Sequence, residues 1–77
     1  MSKTIYSQKR DFLSARLIKA RVEAGFTQSQ VAATNLISQT ELSKIETGQR
    51  RIEFLVLVDL AKFYSTPIEY FIPPDNS

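Results

Sequence analysis

With 77 residues and a mass of 8.8 kDa, the chain has room for one domain, and a fold of this size buries only about 60% of the surface its unfolded form exposes. It contains neither cysteine nor histidine, which excludes a disulfide framework, a Cys/His zinc site and any nucleophile or base built on those side chains. The net charge is +2, but residues 1–51 hold nine Lys and Arg against four Asp and Glu, and residues 52–77 hold one against four; such asymmetry suits a protein that turns one face toward a polyanion.

The 43% hydrophobic content, with two Gly and three Pro, is that of a globular chain. The longest apolar run, Phe54 to Val58, is far short of the roughly 18 residues of a membrane span, and the first thirty residues lack the apolar stretch of a signal peptide. A cytoplasmic protein without membrane contact is expected, as one domain over 1–77 with its core at about 8–72 and a polar tail at 73–77.

Apolar residues Phe12, Leu13, Leu17, Ala20 and Ala24 recur at three and four and predict a first helix over about 7–24, closed by Gly25. Thr27 followed by Gln30, and Ser38 followed by Glu41, are two capping boxes. They open short helices over about 28–35 and 39–47, the second ending at Gly48. A fourth helix is expected at 53–64. Thr66-Pro67-Ile68-Glu69 combines a cap, a proline at the first helical position and a Glu at the third, predicting a short fifth helix to about Phe71. No strand is expected.

The pair at 28–35 and 39–47 has the spacing of a helix-turn-helix, whose second helix can enter a DNA major groove. Leu42, Ile45 and Glu46 form its inward stripe. Gln39, Thr40, Ser43 and Lys44 form an outward stripe that is polar without being acidic. Gln can bond an adenine edge, Lys can reach guanine acceptors and a Thr methyl can meet a thymine methyl. On composition alone such a stripe is an ordinary solvated face.

The sequence resembles the lambda-repressor-like (Cro/phage repressor, XRE-type) helix-turn-helix family. The resemblance runs through Arg21-x-x-x-Gly25-Phe26-Thr27-Gln28, Val31-Ala32, Ile37-Ser38-Gln39, Leu42-Ser43-Lys44-Ile45-Glu46-x-Gly48 and Leu60-Ala61-x-x-Tyr64, and it covers about residues 11–72. It implies an all-α, compact five-helix domain and a DNA-binding regulator. Base-reading residues are then expected at Gln39, Thr40 and Lys44, with Ser43 and Ser38 as weaker candidates because Ser38 can serve simply as a cap. Phosphate contacts are expected from Gln28 at a helix start and from Gln49, Arg50 and Arg51 after the second helix. One departure stands out. Where the family usually has an apolar residue and then Gly, this chain has Asn35 and Leu36; Asn tolerates the left-handed conformation better than Leu, so Asn35 is expected to take positive φ while Leu36 packs inward.

Arg21 continues the stripe Leu13, Leu17, and Glu46 continues the stripe from Leu42. Two opposite charges on the inner edges of packed helices are expected to pair, and the resemblance implies the same link, with Arg21 also near a phosphate. In the fourth helix Phe54, Leu57, Leu60, Ala61 and Tyr64 supply one core stripe, leaving Leu55, Val56, Val58 and Phe63 as a second apolar face. A homodimer interface there is one expectation; residues 1–8, with Ile5 and Tyr6, folding over it is the other. The carboxylates Asp11, Glu23, Glu53, Asp59 and Glu69 are expected on polar helix faces, and the sequence offers no His, Cys or Gly-rich phosphate loop to make a site with them, so neither enzyme activity nor a cofactor or metal is expected. The functional expectation is a sequence-specific double-stranded DNA-binding regulator, a repressor or controller acting as a homodimer on a palindromic operator. The alternative is a protein-interaction module of the same fold, such as an antitoxin or adaptor subunit.

Overall fold

The computed structural model describes residues 5–74, with the side chains of residues 5 and 6 left out. Four α-helices follow one another, α1 (Ile5–Glu23), α2 (Gln28–Ala32), α3 (Gln39–Glu46) and α4 (Phe54–Phe63), and a 3₁₀ turn (Ile68–Phe71) closes the described chain. The fold is all-α.

Helix ends follow from local chemistry. Thr27 accepts from the Gln30 N–H while the Gln30 side chain accepts from the Thr27 N–H, a complete capping box. Ser38 Oγ accepts from the Glu41 N–H at 3.1 Å. Three helices end in the same double closure. After α1, the N–H groups of Gly25 and Phe26 return to the carbonyls of Val22 and Arg21; after α3, Gly48 and Gln49 return to Ile45 and Lys44; after α4, Ser65 and Thr66 return to Lys62 and Ala61. This pattern needs a left-handed residue at its centre. Gly25 and Gly48 take φ of +86° and +79° without cost, whereas Ser65 does so at +54° against a Cβ penalty. Asn35 adopts φ +65° as expected from the turn sequence, and Leu36 packs against the core.

The core draws on every element: Leu17 and Ala20 of α1, Val31 of α2, Ile37 of the turn, Leu42 and Ile45 of α3, Leu57, Leu60, Ala61 and Tyr64 around α4, and Phe71. The turn that carries Phe71 is held in place by Arg16. The Arg16 guanidinium lies over the Phe12 and Tyr70 rings at 4.7 and 4.3 Å and donates to the Tyr70 carbonyl at 3.1 Å, so this last element is fastened back onto α1.

Several expectations need correction. The second helix stops at Ala32 rather than near 35, because Thr34 and Asn35 already bond back three residues in turn geometry. The fifth helix is a four-residue 3₁₀ turn, and Thr66 does not cap it. The Thr66 N–H closes α4 and its hydroxyl donates to the Tyr64 carbonyl at 3.1 Å. Pro73 forces Ile72 into an extended conformation, leaving too few residues for four-residue hydrogen bonds. Phe54 is not in the core but 65% exposed. As the first residue of α4 its side chain leans toward the N-terminus, past the helix end and away from the packed layer. Val56 and Phe63 are not free surface either: both pack on the core, and Phe63 stacks on Phe26 with ring centroids 4.5 Å apart. Val58 is half-buried and Leu55 is 66% exposed. Residues 5–8 form the opening turns of α1; whether Ile5 and Tyr6 cover α4, and the placement of residues 1–4, lie outside the described residues.

Ser65→Gly removes the left-handed penalty at the end of α4 and is expected to raise stability by roughly 0.5–1 kcal/mol, after the extra unfolded-state freedom of Gly is subtracted. Phe63→Ala is expected to cost about 3 kcal/mol, and Phe54→Ala less than about 0.5. Urea melts of the three variants check these values, and similar destabilisation at Phe54 and Phe63 would contradict the packing described.

Candidate nucleic-acid interface

Helix α3 is fixed from beneath by a charged cluster. Arg21 Nε donates to Glu46 Oε2 at 2.8 Å, Nη2 donates to Glu46 Oε1 at 3.0 Å, and Nη1 donates to the Phe26 carbonyl at 2.9 Å. The fork-to-fork geometry is the strong form of this pair. Gln28 Nε2 adds a bond to Glu46 Oε1 at 2.9 Å, so one carboxylate joins the end of α1, the first residue of α2 and the last residue of α3. The side chains of Arg21 and Glu46 are 14% and 3% exposed. The hydrogen bonds to Glu46 raise the Arg21 pKa, against the opposing effect of burial. Ser14 Oγ, also buried, donates to the Ile45 carbonyl at 2.7 Å and ties the last turn of α3 to α1.

Above this cluster Gln28, Gln39, Thr40, Ser43, Lys44 and Gln49 line one shallow cleft of about 450 Å³. Gln39, Thr40 and Gln49 are exposed, and Gln28, Ser43 and Lys44 are half-buried. Among the described residues no carboxylate lines the cleft. The structure thus brings together six side chains singled out from the sequence, drawn from α2, α3 and the segment after α3.

The remaining candidates lie elsewhere. Ser38 sits at the cap of α3 with its oxygen occupied by Glu41 N–H. Arg21 lies under the floor, three of its nitrogens engaged. Gln28 is partly committed, its amide nitrogen bonded to Glu46. Arg50 and Arg51 are exposed and line a separate groove with Lys9 and Arg10 of α1. Arg50 Nη1 reaches Glu41 Oε1 at 3.9 Å, both side chains about half exposed, a contact worth little in water. Lys9 and Arg10 were not among the sequence candidates; a basic pair near the start of a helix has no signal that distinguishes it from a solvated face, and its proximity to residues 50–51 is purely tertiary.

Tyr64 packs beside the cluster, 4% exposed, and its hydroxyl has no hydrogen-bond partner among the described residues. Burial, reinforced by the charge of Glu46, pushes its pKa up to about 12 from 10.0. A raised folded pKa means that the folded state holds this proton more tightly. The associated stability is fully present below pH 10 and is lost as pH rises toward 12.

The sequence profile of the family described as helix-turn-helix matches residues 17–71. Among solved structures, the DNA-binding domain of BldD from S. venezulae is 24% identical, with a TM-score of 0.76 over 86% of this chain and 99% of that one. A crystal structure of the DNA-binding domain of BldD is 25% identical, with a TM-score of 0.78 over 95% of this chain and all of that one. No curated protein matches.

Removing one partner of the buried pair strands the other charge, so Arg21→Met and Glu46→Leu are each expected to cost about 3–5 kcal/mol, while the double variant recovers most of that stability. Thermal melts of the three variants decide this, and singles melting within a degree or two of the parent would contradict it. Tyr64→Phe removes an unpaired buried hydroxyl and is expected to leave stability at pH 7 unchanged or raised. It should also remove a step of alkaline destabilisation between about pH 10 and 12, seen in urea melts across that range.

The profile match, the all-helical fold and the placement of α2 and α3 establish that the chain belongs to the lambda-repressor-like, XRE-type helix-turn-helix family.

Proposed function

We propose that the protein is a sequence-specific double-stranded DNA-binding transcriptional regulator that reads base edges with α3. The observation that carries this reading is the cleft in which Gln39, Thr40, Ser43 and Lys44 of α3 stand beside Gln28 and Gln49. All six are polar, with hydrogen-bonding capacity suited to base edges and phosphates, and α3 is fixed beneath them rigidly enough to hold a register. Gln39, Thr40 and Lys44 are the principal base-reading residues, with Ser43 at the margin. Ser38 acts as the cap. Gln28, Gln49, Arg50 and Arg51 bind phosphates and so position the helix without specifying sequence. Arg21 supports this surface through Glu46.

The protein acts as a homodimer on a palindromic operator. Phe54 and Leu55, adjacent and each about two-thirds exposed at the start of α4, support self-association. A second copy would place two α3 helices on half-sites about 34 Å apart. Relative to the sequence expectation, the interface shifts from Val56 and Phe63 toward Phe54 and Leu55, because the former pair is taken up by the chain's own core.

Selection from random duplexes with the parent, Gln39→Ala and Lys44→Ala tests base reading. Each variant is expected to lose about 1–3 kcal/mol of discrimination at particular positions of the motif. Arg50→Ala or Arg51→Ala should weaken all sequences alike and flatten the salt dependence by about 0.9 for each phosphate no longer neutralised. An unchanged motif for Lys44→Ala would remove it from the base-reading set. Leu55→Glu is expected to sediment as a monomer and to prefer single half-sites. If no duplex binds with a steep salt dependence, the main partner is a protein, as for an antitoxin or adaptor.

A further inference from the structure

A second groove, of about 570 Å³, lies between α1 and the segment joining α3 to α4. Its rim carries four cations, Lys9, Arg10, Arg50 and Arg51, over an apolar floor that includes Leu13 and Ile45, and among the described residues no carboxylate lines it. Among the described residues Lys9, Arg10 and Arg51 form no ion pair, and Arg50 has only the long contact with Glu41 at 3.9 Å. Four like charges gathered in one groove repel one another, which makes an anionic occupant favourable.

We propose that this groove is a second phosphate-binding site, in which Lys9 and Arg10 together with Arg50 and Arg51 grip the DNA backbone beyond the base pairs read by α3. The inference rests on the DNA-binding reading and extends it onto α1. Continuity argues for a nucleic-acid backbone. Gln49 lines the cleft beside α3 while the next two residues, Arg50 and Arg51, line the groove, so a strand leaving the cleft passes directly into it. Each strand of duplex DNA presents one phosphate for about every 3.4 Å of helix axis, and four cations in a single groove can engage successive phosphates. The apolar floor is compatible with this use, because Lys and Arg stems lie along such surface while their charged heads project outward.

The test is the salt dependence of duplex binding by the full chain, with Lys9 and Arg10 both replaced by Gln, a residue that keeps the helix. The slope of log K against log salt is expected to fall by about 1.8, the share of two neutralised phosphates, with the selected base motif unchanged. Lys9→Arg combined with Arg10→Lys should restore the slope, which a merely structural role would not require. Trimming base pairs from the flank of the duplex should reduce parent binding to the level of the Gln double variant. A parent that binds with steep salt dependence and a double variant with the same slope would overturn this proposal alone. A parent with no salt-dependent duplex binding would overturn the DNA-binding reading and this proposal with it. Sodium octanoate binding in the groove, seen as NMR shifts at Leu13, together with DNA affinity indifferent to Lys9 and Arg10, would assign the groove to a small amphiphile and overturn the proposal.

Discussion

The contact on which the arrangement turns is the buried carboxylate of Glu46. It receives two hydrogen bonds from Arg21 and one from Gln28, and through them α1, α2 and α3 are fixed to a single point. Helix α2 has five residues and α3 eight, too few to be stable alone in water. Their helicity is therefore borrowed from tertiary packing, with Leu42 and Ile45 anchoring α3 in the core and Glu46 fixing its final turn. A buried charge with poor partners would destabilise so small a domain. Here the guanidinium matches the carboxylate in bidentate fashion and directs a third donor to the Phe26 carbonyl, so much of the desolvation cost of the pair is offset.

Much of the fold could be read from the chain because its helix ends are governed by nearest neighbours. Thr27 with Gln30, Gly25, Gly48 and Asn35 each carry their reason within a few residues. The pairing of Arg21 with Glu46 was also legible, since each continues an apolar stripe and so points inward. Ser65 gave no such signal. A serine in left-handed conformation is tolerated because the closing bonds from Ser65 and Thr66 hold it there. The 3₁₀ turn likewise looked helical by its cap and proline, but two prolines downstream and the prior engagement of Thr66 left no length for an α-helix.

The candidate site was legible to a similar degree. Helical geometry alone separates Gln39, Thr40, Ser43 and Lys44 from Leu42, Ile45 and Glu46. It could not show that Gln28 commits its amide nitrogen to Glu46, that Val56 and Phe63 are claimed by the core, or that Lys9 and Arg10 stand beside Arg50 and Arg51. Each of these depends on residues distant in sequence meeting in space. Phe54 illustrates the same limit in reverse: periodicity puts it on the buried stripe, but its place at the very start of α4 takes its ring beyond the layer that would have covered it.

Helix α3 is bounded by left-handed residues, Asn35 ahead of it and Gly48 behind it, and is held from one side only. It cannot readily lengthen, slide or rotate by a residue without breaking one of these fixtures. The outward side chains at 39, 40, 43 and 44 lie apart from all of them. Substitutions there are consequently free to accumulate with little penalty to folding, while each new side chain appears at the same azimuth as the one it replaced. Such a division between a fixed mount and an interchangeable face means that the chemistry of this surface can be altered one side chain at a time, while the scaffold beneath it need not be rebuilt.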